Sequence, residues 1–161
     1  VGVCTAGLTK SGGGFGKILQ IVETSWSTFF STGSTSFVDI DNATLSITPT
    51  STSSKIIVMV NLDSDYVNST NALRVIYTIL LRDSTTVDKK AYYMGHETSS
   101  NGYNYYGNPI DMLVFDEPST TSAITYKVQG KTDSGNNNAL LRVNAVTGNC
   151  ISSMIAMEVA G

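Results

Sequence analysis

Residues 55–62 read Lys55-Ile56-Ile57-Val58-Met59-Val60-Asn61-Leu62. The run is too short for a core helix, is rich in β-branched residues, and follows a Ser/Thr turn at Pro49–Ser54, so it predicts a strand. It is apolar on both faces at its start, which marks the strand as buried. Working outward, Thr44–Thr48 alternates apolar and polar on one side, and Phe37–Ile40 is a short strand before it. On the other side Asp63–Asn71 is a polar loop and Leu73–Arg82 is the longest strand. The same grammar continues through Ala91–Met94, Ile110–Phe115, Ile124–Lys131, Leu140–Ala145 and Ser152–Val159, with Ile18–Trp26 at the front. Turn chemistry separates them: Asp116-Glu117-Pro118, Ser119–Ser122 and Asp133–Asn138. About ten short strands and no helical period predict an all-β chain, a single-domain β-sandwich of jelly-roll type over 17–161. Residues 1–16, with Gly12-Gly13-Gly14 at their centre, carry no periodicity and read as a flexible Gly-rich N-terminal arm or linker.

Composition agrees. The chain has 161 residues, 41% hydrophobic and 14% charged, well under the ~25% charge of ordinary soluble domains. Ser, Thr and Asn make up nearly a third of it. Such a chain is too apolar for disorder and too lightly charged for a helical bundle held by surface ion pairs. Net charge is −3, and no basic cluster exceeds Lys89-Lys90, which argues against a nucleic-acid partner. No apolar run approaches the ~20 residues of a membrane helix, so no membrane partner is expected. No secretory leader pattern opens the chain, and Val1 fits either a trimmed Met or a boundary within a longer protein. Cys4 and Cys150 read as two unpaired thiols in a reducing compartment, or as a bridge closing most of the chain.

Chemistry is sparse. His96 is the sole histidine and sits in a Gly-rich loop with no nucleophile elbow in the chain, so it reads as an exposed loop residue. Asp39-x-Asp41-Asn42 and Asp63-x-Asp65 place oxygen donors at spacing two, yet neither continues into a calcium loop, and Asp is a common turn former. No catalytic residue, metal or cofactor is expected. The best recognition candidate is aromatic. Tyr92, Tyr93, Tyr103, Tyr105 and Tyr106 lie among Gly and Asn from residue 92 to 108, and tyrosine on such a loop offers rigid contact area with a polar tip. The same rings could equally pack within the protein or against a neighbouring subunit.

Several phrases, taken in order, resemble a domain of tailed-bacteriophage virion proteins: Gly16-Lys17-Ile18-Leu19-Gln20-Ile21-Val22, Ser34–Ile40, Ile47–Ile56, Leu80–Thr85, Pro118–Val128 and Ile155–Gly161. The resemblance implies a β-rich, oligomeric, non-enzymatic protein of the particle surface, located on the virion and assembled in the host cytoplasm. Within that reading a short chain with no long fibrous repeat favours a capsid decoration or cement protein over a tail-fibre or spike domain, and because jelly rolls also serve as lectins a glycan-binding module is the alternative of another class. Partners would be the major capsid protein or tail components, and a host-surface glycan in the second case.

Oligomerisation is also expected from Leu73–Arg82. With period two, Arg74, Ile76, Thr78, Leu80 and Arg82 share one face, an apolar centre between arginines. That composition suits a subunit interface. Arg74, Ile76, Leu80 and Arg82 are therefore expected to face a neighbour in a homo-oligomer, a trimer by the resemblance.

Overall fold

Side chains that alternate with period two make each strand of this chain one-faced, and the chain buries those faces by rolling up. A computed structural model describes residues 16–68, 73–94, 104–134, 139–146 and 149–161. Among these residues there are twelve strands and no helix: β1 (Ile18–Trp26), β2 (Phe30–Thr32), β3 (Val38–Ile47), β4 (Lys55–Leu62), β5 (Ser64–Asn68), β6 (Arg74–Arg82), β7 (Thr85–Met94), β8 (Asn104–Gly107), β9 (Ile110–Asp116), β10 (Ile124–Thr132), β11 (Ala139–Val143) and β12 (Ser152–Val159). In β9 and β10 every second residue is buried, as the alternation requires.

Two four-stranded sheets, β1-β12-β4-β9 and β3-β10-β6-β7, form the sandwich, and a third, β2-β11-β5-β8, is built from four of the connections between them. All pairing is antiparallel. The first strand pairs with the last, β2 with β11, β3 with β10, β4 with β9, β5 with β8, and β6 with β7. The chain is thus one long folded-back ribbon, rolled so that β12 meets β4, β11 meets β5 and β10 meets β6. That winding is the jelly roll. The closed end of the ribbon is the turn Asp83-Ser84, where Asp83 takes φ 52°, the left-handed region suited to a tight hairpin. Asp83 also accepts a hydrogen bond from the Thr125 amide at 3.0 Å.

The core lies between the two large sheets and runs on under the third, with Ile56, Val58, Met154, Ile76, Leu80, Tyr126, Tyr66 and Leu141 all 2% exposed or less. Three buried polar groups join the layers. Asp116 of β9 accepts both the Arg82 guanidinium of β6 at 2.7 Å and the Tyr126 hydroxyl of β10 at 2.6 Å. Asn144, fully buried at φ 53°, donates to the Trp26 and Thr28 carbonyls and accepts from the Ser152 hydroxyl. Glu158 of β12 accepts from the Gln20 amide and from the amide and hydroxyl of Thr50, tying β1 and the β3–β4 turn to the sheet.

Several elements depart from the sequence expectation. Phe37–Ile40 and Thr44–Thr48 are one strand, β3, because Asn42 at φ 64° absorbs an irregularity in the pairing with β10 instead of ending the strand. β5 lies in the stretch that reads as polar loop, β8 in the Tyr-, Gly- and Asn-rich stretch that reads as a recognition loop, and β2 in a stretch to which the sequence pattern assigns no element. Of the expected arm, residues 1–15 lie outside the described residues, as do Cys4 and His96; Cys150 is a free, half-buried thiol.

Candidate functional site

The surface expected on β6 is not a surface. Ile76 and Leu80 have no exposed area at all. Their face of β6 continues through Tyr126, Val128 and Thr132 of β10, which are buried, so it is the inward one. Arg82 is half-buried in its ion pair with Asp116, and Arg74 is half-buried on the same face. The error is one of face: the opposite side of β6 (Val75, Tyr77, Ile79 and Leu81) is also mostly apolar, so period two alone could not choose. That outer side is shielded by long neighbours on β10 and β7, namely Lys127, Gln129, Lys131 and Lys89. The Lys131 ammonium lies 4.9 Å from the Phe37 ring centre and 5.1 Å from that of Tyr77, its stem laid over apolar surface.

The tyrosines divide. Tyr92 turns inward on β7, packs against the core and lies 6.0 Å from the Tyr66 ring, so it is a packing residue and not part of an exposed loop. Burial pushes the hydroxyls of both rings above the usual tyrosine value. Tyr93, its outward neighbour, is 73% exposed. Tyr105 and Tyr106 stand on β8, the edge strand paired with β5, and Tyr103 lies outside the described residues. One carboxylate of each Asp pair is engaged by protein partners. Asp39 accepts from Gln129 and Lys127, which hold its carboxyl below the ordinary value, and Asp65 takes a two-pronged bond from Arg142.

What the sequence reading missed is the outer face of the β1-β12-β4-β9 sheet. The pairing registers lay its side chains out in rows across all four strands. One row is Ile21, Met157, Ile57 and Phe115; the next is Glu23, Ile155, Met59 and Leu113. Ile21 and Leu113 are 58% exposed and Phe115 63%, with the four central residues half-exposed. A third row, Ser25, Ser153, Asn61 and Asp111, is polar, and Asn61 donates to Asp111 at 2.7 Å. Beside it lies a shallow depression of about 560 Å³ bordered by Met59, Leu113, Ile155, Asp111 and, from β7, Lys90. Glu23 is the one charge within the apolar rows and has no ion pair among the described residues. The signal was present in residues 55–62: a strand apolar on both faces is buried on both, or else waits for a partner on one.

Directly beneath this face sits the Glu158 carboxylate, without exposed area. Burial by itself would raise its pKa. The polar groups of Ser54, Gln20 and Thr50 that surround the carboxylate outweigh that and hold the group at about 2. The sheet is therefore braced from its inner side by an ionised group satisfied entirely by neutral donors.

No protein-family model matches the chain, and no curated protein does. Among solved structures, it is similar to the infectious bursal disease virus VP2 subviral particle, at 15% identity and a TM-score of 0.41, covering 89% of this chain and 34% of that one. It is also similar to the T=1 particles derived from infectious bursal virus, at 15% identity and a TM-score of 0.43, covering 98% of this chain and 41% of that one. The chain spans about a third of the length of the first of these and two-fifths of the second. The jelly-roll assignment stands on the strand order of this chain itself.

Proposed function

We propose that this chain is a non-enzymatic structural protein of the outer surface of a bacteriophage particle, a capsid decoration or cement protein that works by being covered on one side. The observation that carries this reading is the apolar face of the β1-β12-β4-β9 sheet. Monomeric proteins rarely leave a contiguous apolar patch of more than a few hundred Å² open to water, and larger ones mark assembly surfaces. The low charge of the chain, its rolled β architecture and the ordered phrases resembling tailed-phage virion domains support the same reading. Partners would be copies of the chain and the major capsid protein. The test is to purify particles from a lysate by density gradient, analyse them by mass spectrometry, and label them with antibody to the chain. Labelling of intact heads is the expected result. Absence of the chain from particles, or a hydrolytic activity of the pure protein, overturns the proposal.

The exposure of Tyr93 on an edge strand favours a second reading, a tail-fibre or spike domain contacting a host-surface glycan through tyrosine. Antibody on tails instead of heads, with glycan-array binding weakened by Tyr93→Ala, would select it.

A further inference from the structure

We infer that the apolar face of the β1-β12-β4-β9 sheet is covered by the same face of a second copy of this chain, related by a two-fold axis running parallel to the strands. This deepens the assembly reading above and rests on it for its setting.

Size comes first. Four strands about 4.8 Å apart, each crossing the face over some 20–25 Å, give a footprint of roughly 400–500 Å² in flat projection. Counted on both copies that is roughly 800–1,000 Å² before side-chain relief is added, the lower end of what specific interfaces bury. Shape is the second point. Stacked sheets pack about 10 Å apart with strands nearly aligned, so a flat, four-stranded face is a ready partner for another of its kind. The unbranched, adaptable side chains of Met59 and Met157 in the central rows suit such interdigitation.

Charge decides the geometry. An axis along the strands lays the β1 edge of one copy over the β9 edge of the other and keeps each row opposite itself. Ile21 of one protomer then meets Phe115 of its partner. Glu23, exposed and without an ion pair among the described residues, lies over Leu113 of the partner, next to Lys90 at the edge of the depression. Lys90 is itself paired with Asp88 at 3.2 Å, and its side chain is 40% exposed. The two-fold makes this contact twice. An axis across the strands would instead set Glu23 of each copy along the same β1 edge, where the two carboxylates repel.

The experiment uses the full purified chain in sedimentation velocity from about 1 to 100 μM, with circular dichroism melts to confirm folding of every variant. The expected result is a concentration-dependent dimer, twice the 17.2 kDa of one chain. Phe115→Asp should weaken self-association by about 100-fold or more while the melt stays cooperative. Glu23→Lys should weaken it roughly tenfold, Lys90→Glu likewise, and the double exchange should recover most of the loss, which general damage to the sheet could not do. A monomer at 100 μM overturns the inference, as does a trimer or larger species that Phe115→Asp leaves intact, or a double exchange no better than the singles. A dimer formed by a chain absent from phage particles would sustain this inference and sink the particle reading. A monomer found on particle heads would do the reverse.

Discussion

A buried carboxylate without a cation is costly unless neutral donors surround it, and Glu158 is the residue that tests this here. Its pKa, held at about 2 in the folded protein, returns to the ordinary glutamate range of about 4.3 when the chain unfolds. A group depressed on folding contributes stability that is complete above its unfolded pKa. That contribution is lost as pH falls from about 4.3 toward 2. Glu158→Gln removes the charge at every pH. The stability gap between wild type and Glu158→Gln, measured by urea denaturation, should therefore be widest at pH 6 and above and should close as pH approaches 2. A gap independent of pH would show that folding leaves the pKa of this carboxylate unshifted, and a gap that shrinks as pH rises would show that burial keeps it protonated. Nothing in the sequence marked Glu158 for burial: Met157-Glu158-Val159 sits in a plain alternating strand, and its donors come from Gln20 and Thr50, more than a hundred residues away in the chain. The single hydrophilic letters were legible as strand positions, but their partners were not, because hydrogen bonds across a rolled ribbon have no local sequence signature.

At the scale of the element, strands were readable where apolar and β-branched residues ran between turn signals. Lys55–Leu62 and Ser152–Val159 are bounded in the structure as they are in the sequence. Ser64-Asp65-Tyr66-Val67-Asn68 reads as loop because its letters are polar, yet Ser64, Tyr66 and Asn68 are buried under the third sheet, whose existence depends on four separate connections meeting. The same limit hid the assembly face, since a strand apolar on both sides says nothing about which side its own sheet covers. Turn chemistry, by contrast, is local and strong. The β6–β7 hairpin closes through Asp83 in the left-handed region, with its side chain on the Thr125 amide. Asn tolerates that conformation and retains an acceptor oxygen, whereas a β-branched residue does neither. Asp83→Asn should thus change stability by less than about 0.5 kcal/mol, and Asp83→Val should cost about 2 kcal/mol, read from thermal or chemical denaturation. Equal effects from the two would show that the turn is not what sets this register.

Across the whole molecule, hydrogen-bonded ladders hold strands within sheets, but only side chains hold one sheet against another. Most of that attachment is apolar and non-directional, so it fixes distance better than register. Asp116 is placed where direction matters. It belongs to β9 on one sheet, and its two partners, Arg82 and Tyr126, belong to adjacent strands of the other, directly opposite each other in the β6–β10 pairing. All three groups are mostly removed from water, and burial followed by the bond to Asp116 drives the Tyr126 hydroxyl to stay protonated far above the ordinary pH range. Breaking such a cluster from one side leaves a charge and a hydroxyl stranded, whereas replacing all three groups together need not. Asp116→Ala should cost about 3–5 kcal/mol in urea denaturation, since it orphans both Arg82 and Tyr126. Tyr126→Phe should cost only about 1 kcal/mol, because the Arg82–Asp116 pair survives. In a Tyr126→Phe background, which removes the buried hydroxyl, the double variant Asp116→Leu with Arg82→Met should recover most of the Asp116→Ala loss, since apolar side chains of similar size fill the space between the sheets. If Asp116→Ala costs less than about 1 kcal/mol, the pair is solvated in practice and the apolar core alone aligns the two sheets. If the double variant stays as unstable as Asp116→Ala, the charges contribute something packing cannot replace, and the register of sheet on sheet is set electrostatically.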